Sequence, residues 1–242
     1  MILAIDAGNS RVKWGWHDGR GWASLATVSL IEFAAANHDI NPFAATHEGP
    51  ERIVISNVAG EGAHQLLVNW TRIFDAEPLW LKGEAERCGV TSRYERPEQL
   101  GSDRWAALVA ARALHGGACL VVNAGTATTV DALSAAGEFL GGLILPGVEL
   151  MRFVLHEHTG RLPVESGAFR AAPRNTADAI ETGCRHAQAG AVERMHRATG
   201  TGALCLVSGG AGEQLAGLLQ IPCRYVENLV LDGLARIALS EP

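Results

Sequence analysis

A disulfide frame, a membrane span and a basic nucleic-acid face are all missing from this 242-residue chain. Its five cysteines, Cys88, Cys119, Cys184, Cys205 and Cys223, are an odd number without C-x-x-C spacing, and two of them sit inside apolar runs. They read as reduced core thiols of a cytoplasmic protein, not as disulfide partners. No uninterrupted apolar run approaches the roughly 18 residues of a membrane span, and Asp6 interrupts the amino terminus before a signal-peptide core could form, so neither membrane nor secretion is expected. Lys and Arg number 20 against 26 Asp and Glu, a net charge of −6 with no basic run, which removes the usual electrostatic attraction for nucleic acid. His156-Glu-His158 lacks the i, i+4 spacing of a zinc helix and has no cysteine nearby. Without a G-x-S-x-G elbow or a Walker A lysine motif, the serine-hydrolase and P-loop readings lose their sequence support.

What is present is apolar content of 48%, enough to bury the core of one large domain or of two packed smaller ones. Two stretches stand out, Asp6-Ala-Gly-Asn-Ser-Arg-Val-Lys13 and Asn123-Ala-Gly-Thr-Ala-Thr-Thr-Val-Asp131. Each follows an apolar run, Ile2 to Ile5 or Cys119 to Val122, then places an Asx residue, Ala and Gly before strand-compatible residues resume. That pattern predicts a tight β-hairpin. Glycine at the turn lets backbone N–H groups approach a phosphate, and Asn9, Ser10, Lys13 and Thr126 supply further donors.

The two hairpins lie nearly half a chain apart, as a duplication would place them. A second echo agrees: Ile53-Val-Ile-Ser56-Asn-Val-Ala-Gly-Glu61 parallels Cys205-Leu-Val-Ser208-Gly-Gly-Ala-Gly-Glu213. The reading is therefore two halves, 1–117 and 118–242, with a longer insertion from Val148 to Gly200 in the second. Strands are expected at 2–6, 11–17, 23–29, 53–57 and 79–81 with a helix at 62–73. In the second half strands are expected at 119–123, 128–134, 138–145 and 204–207, with helices at 176–197, 211–219 and 227–239. Helix 103–114 joins the halves. The outcome is an α/β protein of mixed sheets flanked by helices, with a ligand cleft expected between the halves.

Several side chains could carry chemistry. Gly101-Ser102-Asp103-Arg104 opens the joining helix, where Asp103 either caps the helix or takes a proton from an attacking hydroxyl, and Arg104 could grip an anionic group. Asp6 either stabilises its turn or works with magnesium, which keeps several aqua ligands. Lys13 is a solvated strand lysine or a phosphate contact. Gly141-Gly-Leu-Ile-Leu-Pro-Gly147 and Ser208-Gly209-Gly210 are turns that a ligand could approach, and Asn175-Thr176 opens a helix as its N-cap.

Taken in order, Asp6-Ala-Gly-Asn-Ser-x-x-Lys13, Gly101-Ser-Asp-Arg104, Asn123-Ala-Gly-Thr-Ala-x-Thr-Val-Asp131, Gly141-Gly-x-Ile-x-Pro-Gly147 and Asn175-Thr176 resemble the type III pantothenate kinases. The match covers nearly the whole chain. The resemblance implies the acetate and sugar kinase/Hsp70/actin fold, two ribonuclease H-like halves, and a cytoplasmic homodimer. It also implies the ATP-dependent phosphorylation of pantothenate to 4′-phosphopantothenate, the first step of coenzyme A biosynthesis. Carried over by position, Asp6, Ala7, Gly8, Asn9, Ser10, Arg11, Val12 and Lys13 form the first phosphate loop, with Asp6 toward Mg2+. Thr126 is then the second ATP contact, and Ser208-Gly-Gly210 lies near the adenine. Asp103 is the general base, while Tyr94, Gly101, Ser102, Asp103, Arg104 and Thr176 bind pantothenate, Thr176 from a neighbouring subunit. Many members carry Asp at the position of Asn123, where it is associated with the required K+ or NH4+ ion; here the charge is lost. Rival readings are a kinase of another small hydroxyl or carboxylate substrate on the same fold and a non-catalytic regulatory protein.

Overall fold

A computed structural model of the chain describes residues 1–35, 49–159, 167–200 and 202–241. The chain divides into two compact units, residues 1–114 with 228–242, and residues 115–227.

The first unit contains β1 (Ile2–Ala7), β2 (Arg11–His17), β3 (Trp22–Ser29), α1 (Leu30–Ala35), β4 (Arg52–Asn57), α2 (Glu61–Thr71), β5 (Pro78–Trp80), the short strands β6 (Glu86–Arg87) and β7 (Val90–Ser92), and α3 (Ser102–Leu114). The second contains β8 (Cys119–Ala124), β9 (Ala127–Leu133), β10 (Glu138–Pro146), α4 (Val148–His158), α5 (Thr176–Thr199), β11 (Leu204–Ser208), α6 (Gly212–Ala216) and β12 (Cys223–Tyr225). Helix α7 (Leu229–Ser240) returns to the first unit.

Both glycine turns are tight antiparallel hairpins, β1–β2 and β8–β9. Gly8 N–H donates to the Arg11 carbonyl at 3.0 Å, and Gly125 N–H to the Ala127 carbonyl at 3.0 Å. The sheet order in the first unit is β3-β2-β1-β4-β5, and the second unit repeats it as β10-β9-β8-β11-β12. Strand directions match as well: the first three strands of each set are antiparallel, while β4 and β5, like β11 and β12, run parallel to the strand that opens their unit.

The alternation of strand side chains decides what each sheet face carries. Leu3, Ile5 and Ala7 of β1, with Ile53 and Ile55 of β4, enter one apolar core with Phe33, Leu67 and Trp70. Asp6 and Ser56 therefore fall on the opposite face, the side on which α7 packs against β1 and β4, and α3 against β4 and α7. The second unit behaves alike: Leu120, Val122, Cys205 and Val207 share a core with Ala189 and Val192 of α5.

The expected strands are found within a residue or two, the short strands β6, β7 and β12 were not expected, and α5 extends to Thr199. Helix α6 is shorter than 211–219, because after Gly217 the bonds tighten to i−3, with Leu218 N–H donating to the Leu215 carbonyl at 2.9 Å and Leu219 N–H to the Ala216 carbonyl at 3.3 Å. The contiguous halves 1–117 and 118–242 differ from the compact units in the last helix. The apolar residues of α7, among them Leu231, Leu234 and Ile237, are buried within the first unit. The Arg52 guanidinium also holds the end of this helix, donating to the carbonyls of Ala238 (2.5 Å) and Glu241 (2.9 Å).

Candidate active site

In the first unit β1 ends at the hairpin turn, so Asp6 stands where the sheet gives way to Gly8, Asn9 and Ser10. Lys13 is its register partner on β2 and Ser56 its partner on β4. Asn9, Ser10 and Arg11 are exposed, as a loop that meets a ligand requires, and Lys13 is half-buried. Ala7 and Val12 are buried in the apolar core, so of the eight loop residues these two can offer a ligand only their main chain.

Ser56 is fully buried and was not singled out as a site residue, although its match with Ser208 in the repeat was the available signal. Its hydroxyl hydrogen-bonds Asp6 and lies 2.9 Å from the Ser102 hydroxyl at the start of α3. An ionised Asp6 can only accept, so Ser56 donates to it and Ser102 donates to Ser56. Ser102 is thus committed to a buried contact between sheet and helix.

Asp103, the next residue, is half-buried; its Oδ1 accepts the Arg104 N–H at 2.8 Å, one of the unpaired donors of the first helical turn. Burial pushes its carboxyl above the ordinary aspartate range, against the pull of the Arg104 N–H and guanidinium. Arg104 is buried, its guanidinium 3.3 Å from the Tyr94 hydroxyl and 5.9 Å from the centre of that ring. Tyr94, Gly101, Ser102, Asp103 and Arg104 are therefore brought together around one helix start.

Asp6 is the more perturbed acid. Burial, followed by the charge on Asp103, pushes it up to about 7, while Lys13 and the Ser56 hydroxyl pull it down. The residue as a whole keeps some exposure near the carboxyl end of the central strand β1, yet its Oδ1 is removed from water and has no hydrogen-bond partner. An unmet carboxylate oxygen at that position suits a cation or one of its water ligands.

The second unit repeats the geometry with neutral groups. Asn123 is the register partner of Ser208, as Asp6 is of Ser56. Thr126 is exposed at the hairpin tip. The Ser208-Gly209-Gly210 turn packs directly on this hairpin: Ala211 N–H donates to the Ala124 carbonyl at 3.0 Å, and Gly209 has φ of 94°. A Cβ at Gly209 would stand 2.4 Å from that carbonyl and 2.6 Å from Asn123 Oδ1, so only glycine fits. Thr176, exposed, follows the N-cap Asn175, whose Oδ1 accepts the Asp178 N–H at 2.8 Å. Among the described residues no group of three or more His, Cys, Asp or Glu side chains could hold a metal, and no helix is long and apolar enough to cross a membrane.

Two sheets that share one five-strand order, each with a glycine hairpin after its opening strand, define the fold shared by sugar kinases and actin-like ATPases. Similarity to solved structures agrees. A protein described as a 2-dehydro-3-deoxygalactonokinase from Sinorhizobium meliloti superposes with a TM-score of 0.66 at 16% identity, covering 100% of both chains. One described as a conserved Baf family transcriptional activator from Campylobacter jejuni superposes at 0.63 and 22% identity, over 97% of this chain and 96% of that one. The sequence model of the type III pantothenate kinase family matches residues 2–198, and the type III pantothenate kinase of Aromatoleum aromaticum is 53% identical over 240 residues, 98% of each chain. The chain belongs to the type III pantothenate kinase family.

The raised Asp6 pKa makes a stability prediction. The folded state keeps this proton to about pH 7, whereas an unfolded aspartate loses it near pH 4. The burial penalty is thus absent below pH 4, grows through the interval and is complete above pH 7. In magnesium-free buffer, Asp6→Asn should raise the melting temperature at pH 8 by about 5 °C, corresponding to ~1–3 kcal/mol. The gain over the parent should vanish near pH 4. Melting curves of both proteins across pH 4 to 8 check this, and an equal gain at both ends contradicts it.

Proposed function

We propose that this chain transfers the γ-phosphoryl group of ATP to the primary hydroxyl of pantothenate, giving 4′-phosphopantothenate at the entry to coenzyme A synthesis. The observation that carries the reading is the set of groups meeting at the start of α3, a raised-pKa Asp103 beside a buried Arg104, in a member of this family. Phosphoryl transfer asks a protein mainly to position two substrates and to neutralise charge.

The first hairpin, from Asp6 to Lys13, offers exposed main-chain and side-chain donors to phosphates, and Thr126 offers a hydroxyl from the second. Arg104, held by Tyr94, suits the carboxylate of pantothenate. Asp103 orients the attacking hydroxyl and accepts its proton as the bond to phosphorus forms, late because an alcohol is a weak acid. A buried carboxyl above the ordinary range is a better base than a solvated one. Asp6, with its unmet Oδ1, is the residue proposed to hold Mg2+. When bound, the ion supplies charge neutralisation at the phosphates. Asn123 brings a neutral oxygen to the position assigned to K+ or NH4+, so its hold on either ion is weaker than a carboxylate's.

The working unit is proposed to be a cytoplasmic homodimer. Helix α4 buries none of its residues, and Leu150, Phe153 (60% exposed) and Val154, spaced i, i+3 and i+4, present an exposed apolar stripe. A second copy would cover this face, and Thr176 would then serve the neighbouring subunit's substrate.

A coupled ADP-release assay against pantothenate, sugars and acetate tests the reaction. Turnover restricted to pantothenate is expected; turnover of a sugar alone would assign the chain to another kinase. Asp103→Asn should lower turnover roughly 100-fold or more with ATP affinity nearly intact, and unchanged turnover would remove Asp103 from the mechanism. In sodium, potassium and ammonium buffers the parent should respond only at high K+ or NH4+, while Asn123→Asp should respond at concentrations about tenfold lower. Phe153→Glu should convert a dimer into a monomer in sedimentation velocity; an unchanged dimer would move the interface elsewhere.

A further inference from the structure

Gln188 lies on α5, well outside the groups assigned so far, and only 2% of it is exposed. A buried primary amide must be explained by its partners. Its Nε2 donates to the Pro146 carbonyl at 2.5 Å and approaches Met151 Sδ at 3.7 Å, while its Oε1 is buried without a partner. Both contacts are acceptors, so the orientation of the amide follows from chemistry.

Pro146 ends β10, and Gly147 opens α4. The Gly147 N–H donates to the Thr126 carbonyl at 2.8 Å, and a Cβ at Gly147 would stand 2.1 Å from the Gly125 carbonyl oxygen. The corner at 146–147 thus presses against the tip of the second hairpin. Helices α4 and α5 are also joined by Arg152 and Glu181, 3.5 Å apart.

We propose that Gln188 is a positioning residue for the second hairpin: from α5 it fixes the Pro146 carbonyl, and through the Gly147 N–H it sets where Gly125 and Thr126 present their groups to nucleotide phosphates. This rests on the reading of that hairpin as a phosphate loop. The amide is needed because the site requires a neutral donor facing two acceptors. A carboxylate there would meet the Pro146 carbonyl with like partial charge, whereas its protonated form could donate again.

The test is calorimetric titration of the full chain with ADP and magnesium at pH 6 and pH 8, with steady-state KM for ATP and pantothenate. Gln188→Met, which keeps volume and loses the donor, should weaken ADP binding roughly fivefold at both pH values while leaving the KM for pantothenate unchanged. Gln188→Glu should weaken it roughly tenfold or more at pH 8 and return toward the parent at pH 6, measured as the ratio to the parent at each pH. A merely structural role would raise the KM for pantothenate as well. Should Gln188→Glu fail to fold, Gln188→Met decides alone. ADP affinities equal to the parent's in both variants overturn the proposal. Thr126→Val separates it from the reading beneath it. If Thr126→Val binds ADP like the parent, the phosphate-loop reading fails and the proposal with it. If Thr126→Val loses affinity while the Gln188 variants do not, the positioning role alone is lost.

Discussion

The burial of one carboxylate at the carboxyl end of β1 is the constraint on which the rest of the first unit turns. Asp6 cannot move to the other face, because a one-residue slip of the strand would drive it among Ile53, Ile55 and Trp70 and push Ile5 out. The apolar alternation Leu3, Ile5, Ala7 therefore holds the acid in place. Held there, it needs compensation, which comes from Lys13 and Ser56 on the neighbouring strands. Ser56 in turn engages Ser102 and so ties the sheet to the helix that carries Asp103. Each step follows from the cost of leaving a buried polar group without a partner.

The second unit shows the same architecture put to different electrostatic use. Where the first opens on an acid, the second opens on Asn123, and its hairpin is supported by close backbone contacts in place of charges. Gly209 and Gly147 each let a turn approach a carbonyl more closely than any side chain would allow. An amide from α5 secures the corner behind the hairpin. One topology thus carries charged groups beside the hairpin of one unit and neutral groups beside the hairpin of the other.

Legibility in the sequence followed the strength of local signals. The hairpins were readable because glycine after an Asx residue at the end of an apolar run has few other uses. The strand pairs β4 and β11 were readable from their apolar runs and their mutual echo. The strands β6 and β7, two and three residues long, carry too short a pattern to register; their turn is marked only by Cys88 and Gly89, both at positive φ. Strand β12 is equally short and half exposed. Asp103 and Arg104 stood out as charged residues at a helix start, whereas Ser56 and Gln188 did not, since a serine in a strand and a glutamine in a helix are unremarkable until their neighbours are known.

The chain alone determined the period of each strand, the two turns and the order of motifs, because these depend on residues close in sequence and on steric rules that act locally. Only the tertiary structure decided that Asp6 meets Ser56 and feels the charge of Asp103, that Val12 is withdrawn into the core, that the last helix belongs with the first unit, and that an amide from α5 reaches Pro146. Those facts depend on which distant segments desolvate one another, and the free energy of a buried charge or hydrogen bond is set by that surrounding, not by the residue that carries it.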